Sequence, residues 1–96
     1  MSNQNKLMRV IFANSAQKEY RLWEKSNPKT IAKIDELIED ILENGLTKGK
    51  GKPEKLRHYK NPVQFSREIS KGDRLVYFSD GQTLFILSCK GHYDDH

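Results

Sequence analysis

Hydrophobic positions along the chain change their period from two to about three and a half and back to two. Met8 to Phe12 (MRVIF) reads as a short strand rich in branched and aromatic side chains. Asn14-Ser15 offers an N-cap, and AQKEYRLWEK then places Ala16, Tyr20 and Trp23 on one helical face. SNP at 26–28 interrupts that helix. Asn27 caps a second one, with Pro28 in the first turn, where a missing N–H costs nothing. In this second helix Ile31, Ile34, Leu37, Ile38, Ile41 and Leu42 recur at threes and fours, while Lys33, Asp35, Glu36, Glu39 and Asp40 are expected to face outward. Asn44-Gly45 closes it.

The remainder alternates. Lys55 to His58 is a short strand candidate. QFSREI sets Phe65, Arg67 and Ile69 on one side and Ser66 and Glu68 on the other. Lys71-Gly72 turns the chain into RLVYF at 74–78, and Asp80-Gly81 signals a hairpin into TLFILSC at 83–89. This last strand is apolar at nearly every position, so it is expected to lie centrally with both faces covered. The order is β-α-α-β-β-β-β, an α+β arrangement. Two helices cannot cover both faces of such a sheet, so one face should stay partly open.

Ninety-six residues form one domain, with no repeat, linker or second unit. A chain of this size buries only about 60–65% of its unfolded surface, so its core is thin. No apolar run approaches the ~20 residues that cross a bilayer. MSNQNKL has neither an apolar core nor a cleavage signal, so export is not expected. A single cysteine, Cys89, forms no internal disulfide and fits a reducing cytoplasm.

Charge narrows the picture further. Residues 1–44 hold seven Lys/Arg against seven Asp/Glu, whereas residues 45–96 hold ten against six and carry the whole net +4. A localised excess is the footprint of a face that binds polyanions, although a charge serving solubility alone has the same sign. The densest stretch is GKGKPEKLRHYK at 49–60, with five Lys or Arg and one acid, Glu54. Gly49, Gly51 and Pro53 exclude a helix there. Glu54 either offsets charge in a solvated loop or has a chemical task.

GLTKGKGK fails the spacing of a phosphate-binding loop and lacks its hydroxyl. His58, Cys89, His92 and Asp94 are too sparse for a zinc set, so no metal or other cofactor is expected. Cys89, Tyr20 and Trp23 read as core. More telling are polar residues where core logic would not put them. Arg67 and Arg74 have apolar neighbours two positions away, and His92-Tyr93 follows the last strand. With Glu54 they supply a carboxylate, two guanidiniums and an imidazole on one basic sheet. That is the inventory for metal-free RNA cleavage: a base takes the ribose 2′-hydroxyl proton, a cation holds the pentacovalent phosphate, and an acid protonates the leaving 5′-oxygen.

KGKGKPEKLRH, FSREI, DRLVY and a last apolar strand ending in KGHY resemble, in order and spacing, the YoeB/Txe toxins of bacterial toxin–antitoxin modules, within the RelE superfamily. The resemblance runs from Met8 to Tyr93, leaving 1–7 and 94–96 as extensions. It implies the RelE-like fold: two helices on a twisted, mostly antiparallel sheet with the active site on the open face. The implied activity is ribosome-dependent endonucleolytic cleavage of mRNA in the A site. The implied partners are the ribosome with its mRNA, a YefM/Axe-like antitoxin and a second copy in a homodimer. By position, Glu54 matches the general base, Arg74 the arginine that stabilises the transition state, His92 the general acid and Tyr93 the aromatic beside it. Arg67 matches the first arginine of the family's FWSRR-type stretch, while Glu68 stands where its second arginine would be. Lys50 and Lys52 match loop lysines that meet RNA phosphates, and Arg57 of the same basic run joins them.

The chemistry agrees. An imidazole titrates near cellular pH, as a general acid there requires. Two alternatives have their own signatures. ParE-type toxins share the superfamily fold but block DNA gyrase without cutting RNA. A plain RNA-binding module would stack bases on exposed aromatics, for which Phe65, Tyr77 and Phe78 are the candidates unless they are core.

Overall fold

The computed structural model describes residues 9–91. Its elements are β1 (Arg9–Phe12), α1 (Asn14–Ser26), α2 (Pro28–Asn44), β2 (Glu54–Lys60), β3 (Val63–Ser70), β4 (Asp73–Ser79) and β5 (Thr83–Ser88). The strands form one sheet in the order β1-β5-β4-β3-β2. Every neighbouring pair is antiparallel except β1 with β5, which run parallel: the two helices carry the chain from β1 at one edge to β2 at the other, and the antiparallel run of β2, β3, β4 and β5 brings it back beside β1.

Both helices pack on one side of the sheet. The second helix buries Ile34, Leu37, Ile38 and Ile41, and these meet Phe65, Ile69, Leu75, Tyr77, Leu84 and Ile86. Asn27 caps this helix as expected, accepting from the Thr30 N–H at 3.3 Å. Gly45 ends it in the left-handed region at φ 100°. Trp23 donates from Nε1 to the Cys89 carbonyl at 2.8 Å, fastening α1 to the end of β5. Tyr20 donates to Asp35 across the two helices, and burial together with that carboxylate pushes its phenol up to about 12. Cys89 is a buried core thiol; burial first, then the carboxylates of Glu19 and Asp73, push it up to about 12. Among the described residues no helix is long and apolar enough to cross a membrane.

Three local expectations need correction. Helix α1 begins at Asn14 with Ala13 in the cap position and no side-chain cap. The Ala13 N–H instead continues the parallel ladder to the Ile86 carbonyl at 2.8 Å, so strand pairing sets the helix start. Strand β2 extends from Glu54 to Lys60 rather than from Lys55 to His58. The last strand lies inside the sheet with a partner on each side, as expected, but only one of its faces is covered: Phe85 and Leu87 keep partial exposure on the side without helices.

Candidate functional site

Cross-strand register decides which side chains can meet. Glu54 pairs with Ser66, Ser66 with Val76, and Val76 with Ser88, so these four form one row across the sheet. Glu68 pairs with Arg74 in the next row. Because Phe65, Tyr77 and Ile86 point at the helices, both rows lie on the opposite face. Glu54 and Arg74 are twenty residues apart in sequence and belong to strands that do not touch, yet they converge there.

At their meeting point the Arg74 Nε–H donates to the Ser66 hydroxyl at 3.1 Å. Its Nη2 lies 3.6 Å from the Glu54 carboxylate, within ion-pair reach. That nitrogen is buried and makes no hydrogen bond among the described residues. The arginine side chain is 19% exposed and the glutamate 57%, so a guanidinium set into the sheet stands beside a carboxylate open to solvent. A buried donor that spends nothing on the protein is costly to keep and suits an anion arriving from outside.

The chain returns to this point after β5. The Arg74 N–H donates to the Gly91 carbonyl at 3.1 Å, and the Gly91 N–H donates to Asp73 at 2.7 Å. Both contacts fasten the chain beside the arginine at the last described residue. His92 and Tyr93 come next in sequence and lie outside the described residues.

Arg67 was expected to meet RNA phosphate, and the structure corrects this. Its side chain is 0% exposed on the helix face of β3. Nε donates to the Tyr77 hydroxyl at 2.9 Å, Nη1 to Asp40 at 2.5 Å and to the Lys50 carbonyl at 3.0 Å. Nη2 donates to the carbonyls of Gly45 at 2.8 Å and Lys48 at 2.7 Å. A guanidinium has five N–H donors, and five acceptors are here. None is left for a phosphate. The Tyr77 hydroxyl passes the network on to the Leu46 carbonyl at 2.7 Å. Asp40, expected to face outward, turns inward instead. Burial disfavours its charge, but bonds from the Lys50 N–H, Arg67 and Asn44 outweigh that and hold its carboxyl below the usual range.

This network explains the glycines of the basic stretch. A Cβ on Gly49 would land on the Asp40 carboxylate. One on Gly51 would come within 2.9 Å of Leu37 and 3.1 Å of Arg67. Both glycines also have positive φ, at 113° and 81°. They let residues 45–52 wrap closely round the buried arginine and deliver the chain to Glu54 at the start of β2.

The loop lysines divide. Lys50 bonds Glu36 of α2 at 2.7 Å, which raises its own ammonium and lowers the Glu36 carboxyl, so the structure does not bring it to the Glu54–Arg74 pair. Lys52 takes a left-handed backbone at φ 52° and sets its ammonium 3.7 Å from Glu68, beside Arg74 in register. Arg57 is an exposed residue of β2. Of the three candidate stacking aromatics, Phe65 and Tyr77 are core, and Phe78 stacks on Phe85 at 4.8 Å on the face away from the helices. Sequence reasoning did not single out Ser66 or Asp40 as site-forming. Asp40 had a visible signal, because it lies three residues after Leu37 and next to Ile41, at the edge of the apolar stripe.

The profile of the family described as YoeB-like toxin of bacterial type II toxin-antitoxin system matches residues 12–93. The YoeB toxin of Escherichia coli strain K12 is 35% identical over 86 residues, covering 90% of this chain and 100% of that protein. A YoeB dimer from Staphylococcus aureus superimposes with a TM-score of 0.83 at 38% identity, over 90% of this chain and 98% of the other. A YoeB–YefM complex from the same organism gives 0.80 at 38% over the same shares. The fold and the matched motifs thus define a toxin of a type II toxin–antitoxin system. The chain belongs to the YoeB-like family of such toxins.

Proposed function

We propose that this toxin is a ribosome-dependent endoribonuclease that cuts mRNA in the A site by attack of a ribose 2′-hydroxyl on the adjacent phosphate. The observation that carries the reading is the Arg74 Nη2, buried and without a hydrogen bond among the described residues, 3.6 Å from Glu54. Charge grows on the phosphate as the fifth bond forms, and an unspent guanidinium donor beside it is worth most at that moment. Glu54 is exposed enough to reach the 2′-hydroxyl and accept its proton. His92, next after the Gly91 anchor, donates a proton to the departing 5′-oxygen, with Tyr93 beside it. Lys52 and Arg57 hold flanking phosphates. The balanced outcome is a 2′,3′-cyclic phosphate upstream and a 5′-hydroxyl downstream, with both proton carriers supplied by side chains.

A YefM-like antitoxin is the proposed inhibitor and a second copy the proposed dimer partner, by analogy with the Staphylococcus aureus assemblies. The setting is the cytoplasm, where ribosomes translate.

The test is a bacterial translation reaction with mRNA ends mapped by primer extension. Cleavage in the A site that persists in EDTA, once ribosome integrity is controlled for, supports the reading. An mRNA with a 2′-deoxy residue at the scissile position should resist. If that substrate is cut at the same bond, Glu54 and His92 do not have these roles. Inhibition of DNA supercoiling with intact mRNA would favour gyrase as the target.

A further inference from the structure

Ser66 occupies the centre of the open-face row, between Glu54 on β2 and Val76 on β4, and it is 0% exposed. A buried strand position of this kind ordinarily takes an apolar side chain, since a hydroxyl there is costly unless it is bonded. Its hydroxyl is bonded, to the Nε–H of Arg74 at 3.1 Å. Arg74 lies diagonally across from Ser66, two residues from its register partner Val76, where only a long side chain can reach a short one.

The consequence lies at the other end of the guanidinium. That group is planar and rigid, so fixing Nε fixes where both terminal nitrogens point. With Nε held, Nη2 stops 3.6 Å from Glu54, at ion-pair distance without closing a hydrogen bond. Released from Ser66, the guanidinium is free to swing onto the carboxylate and form the short bidentate pair that arginine prefers. Such a pair would occupy both the base and the phosphate donor.

We propose that Ser66 is a positioning residue that holds Arg74 off Glu54 and keeps one donor edge ready for the scissile phosphate. This rests on the nuclease reading given above, but the contact can be tested apart from it.

The first measurement is the Arg74 Nε–H resonance of the purified toxin, assigned by its loss in Arg74→Lys. Ser66→Ala should shift that resonance and speed its exchange with water, while Ser66→Thr, which keeps the hydroxyl, should leave it near its original place. An unchanged resonance in Ser66→Ala overturns the proposal whether or not the protein cuts RNA. If Ser66→Ala does not fold, the nearly isosteric Ser66→Cys, a weak acceptor, takes its place with the same expected outcome.

The second measurement is a single-turnover cleavage cycle on programmed ribosomes. Loss of one orienting hydrogen bond should slow the chemical step about tenfold. Half-saturation by ribosomes should hold within about twofold, because Ser66 itself is buried away from RNA. In an Arg74→Ala background the same substitution should change the rate by less than about twofold, since the group it positions is gone. Equal losses in both backgrounds would show a general packing role and overturn the proposal. A wild type that cuts no mRNA would remove the nuclease reading instead, leaving the resonance to decide whether Ser66 holds Arg74.

Discussion

Arg67 and Arg74 lie seven residues apart on adjacent strands, and the sheet gives them opposite lives. Arg67 points at the helices and finds five oxygens within bonding distance for its five N–H donors. Arg74 points away from them and makes one side-chain hydrogen bond among the described residues, leaving a buried nitrogen without one. A guanidinium set into a sheet, fully buried or nearly so, is tolerable in either condition only for a reason. The first is a strut that gathers the end of α2, the glycine-rich loop and β4 round one charge. The second, on the proposed reading, is held in reserve for the scissile phosphate. Exposure and hydrogen-bond satisfaction, not residue type, separate architecture from chemistry here.

Removing Arg67 should have the largest effect. Arg67→Ala strands the nearly buried Asp40 carboxylate and the carbonyls of Gly45, Lys48 and Lys50. Breaking a buried pair of this kind typically costs about 3–5 kcal/mol, much of a small domain's stability. Urea unfolding should therefore show a large drop in midpoint, and Arg67→Lys should fare nearly as badly, because an ammonium cannot span five acceptors. A normal midpoint with weakened RNA association would make Arg67 a phosphate ligand after all. Arg74→Ala should do the opposite. Its unfolding midpoint should fall far less than that of Arg67→Ala, by no more than the loss of the single bond to Ser66, while the chemical step of mRNA cleavage falls about 10²–10³-fold, as when one donor to a developing oxyanion is lost.

Much of this could be read before the structure. The period-two and period-three patterns located the helices, the hairpins and the core faces of β3 and β4, because burial on one face writes itself directly into alternation. Even the placement of Arg67 was written there: it shares a side with Phe65 and Ile69, and that side is the core. Its assignment to RNA followed from motif position and overrode the alternation. Ser66 was legible only as a polar residue on the open side, since its bond depends on strand pairing between segments distant in sequence. Asp40 was misplaced because a helical wheel knows nothing of a loop folding back over the helix end. The start of α1 was missed for a similar reason, as a ladder to Ile86 rather than a local cap defines it.

A smaller effect, read by titration, concerns the acid that pairs with Arg67. The Asp40 carboxyl sits below its usual range in the fold, so its contribution is fully present above the ordinary carboxylate value and is lost as pH falls through the lower, folded value. Asp40→Asn removes the charge but keeps the shape. At pH 7 it should cost about 1.5–3 kcal/mol, the worth of hydrogen bonds to a charged group. That gap should hold down to about pH 4 and then close, because protonated Asp40 resembles the amide. Glu36 and Asp80 are also held low, but they are present in both proteins and cancel. A gap that persists undiminished at pH 2 would mean that the carboxylate's charge is not what holds the loop.

The smallest effect concerns the reserve half, at Glu68. This acid is the register partner of Arg74 and lies 3.7 Å from the ammonium of Lys52, which is 86% exposed. So exposed a pair is worth about 0–1 kcal/mol in stability, and Glu68→Gln should not move the unfolding midpoint measurably. Its influence on an approaching phosphate is another matter. The carboxylate both occupies Lys52 and repels RNA from the row that holds Arg74. Glu68→Gln should thus tighten association of the toxin with mRNA-loaded ribosomes about two- to fivefold at low salt and steepen the fall of log K with log salt, as one more cation becomes available to release counterions. The rate constant at saturation should stay within about twofold, because neither the proposed base nor the proposed phosphate donor has changed. If association weakens instead, the pair with Glu68 is what aims Lys52, held at φ 52°, toward the RNA. Arg74 and Lys52 would then be alike in one respect, each aimed by a neighbour that never touches the substrate.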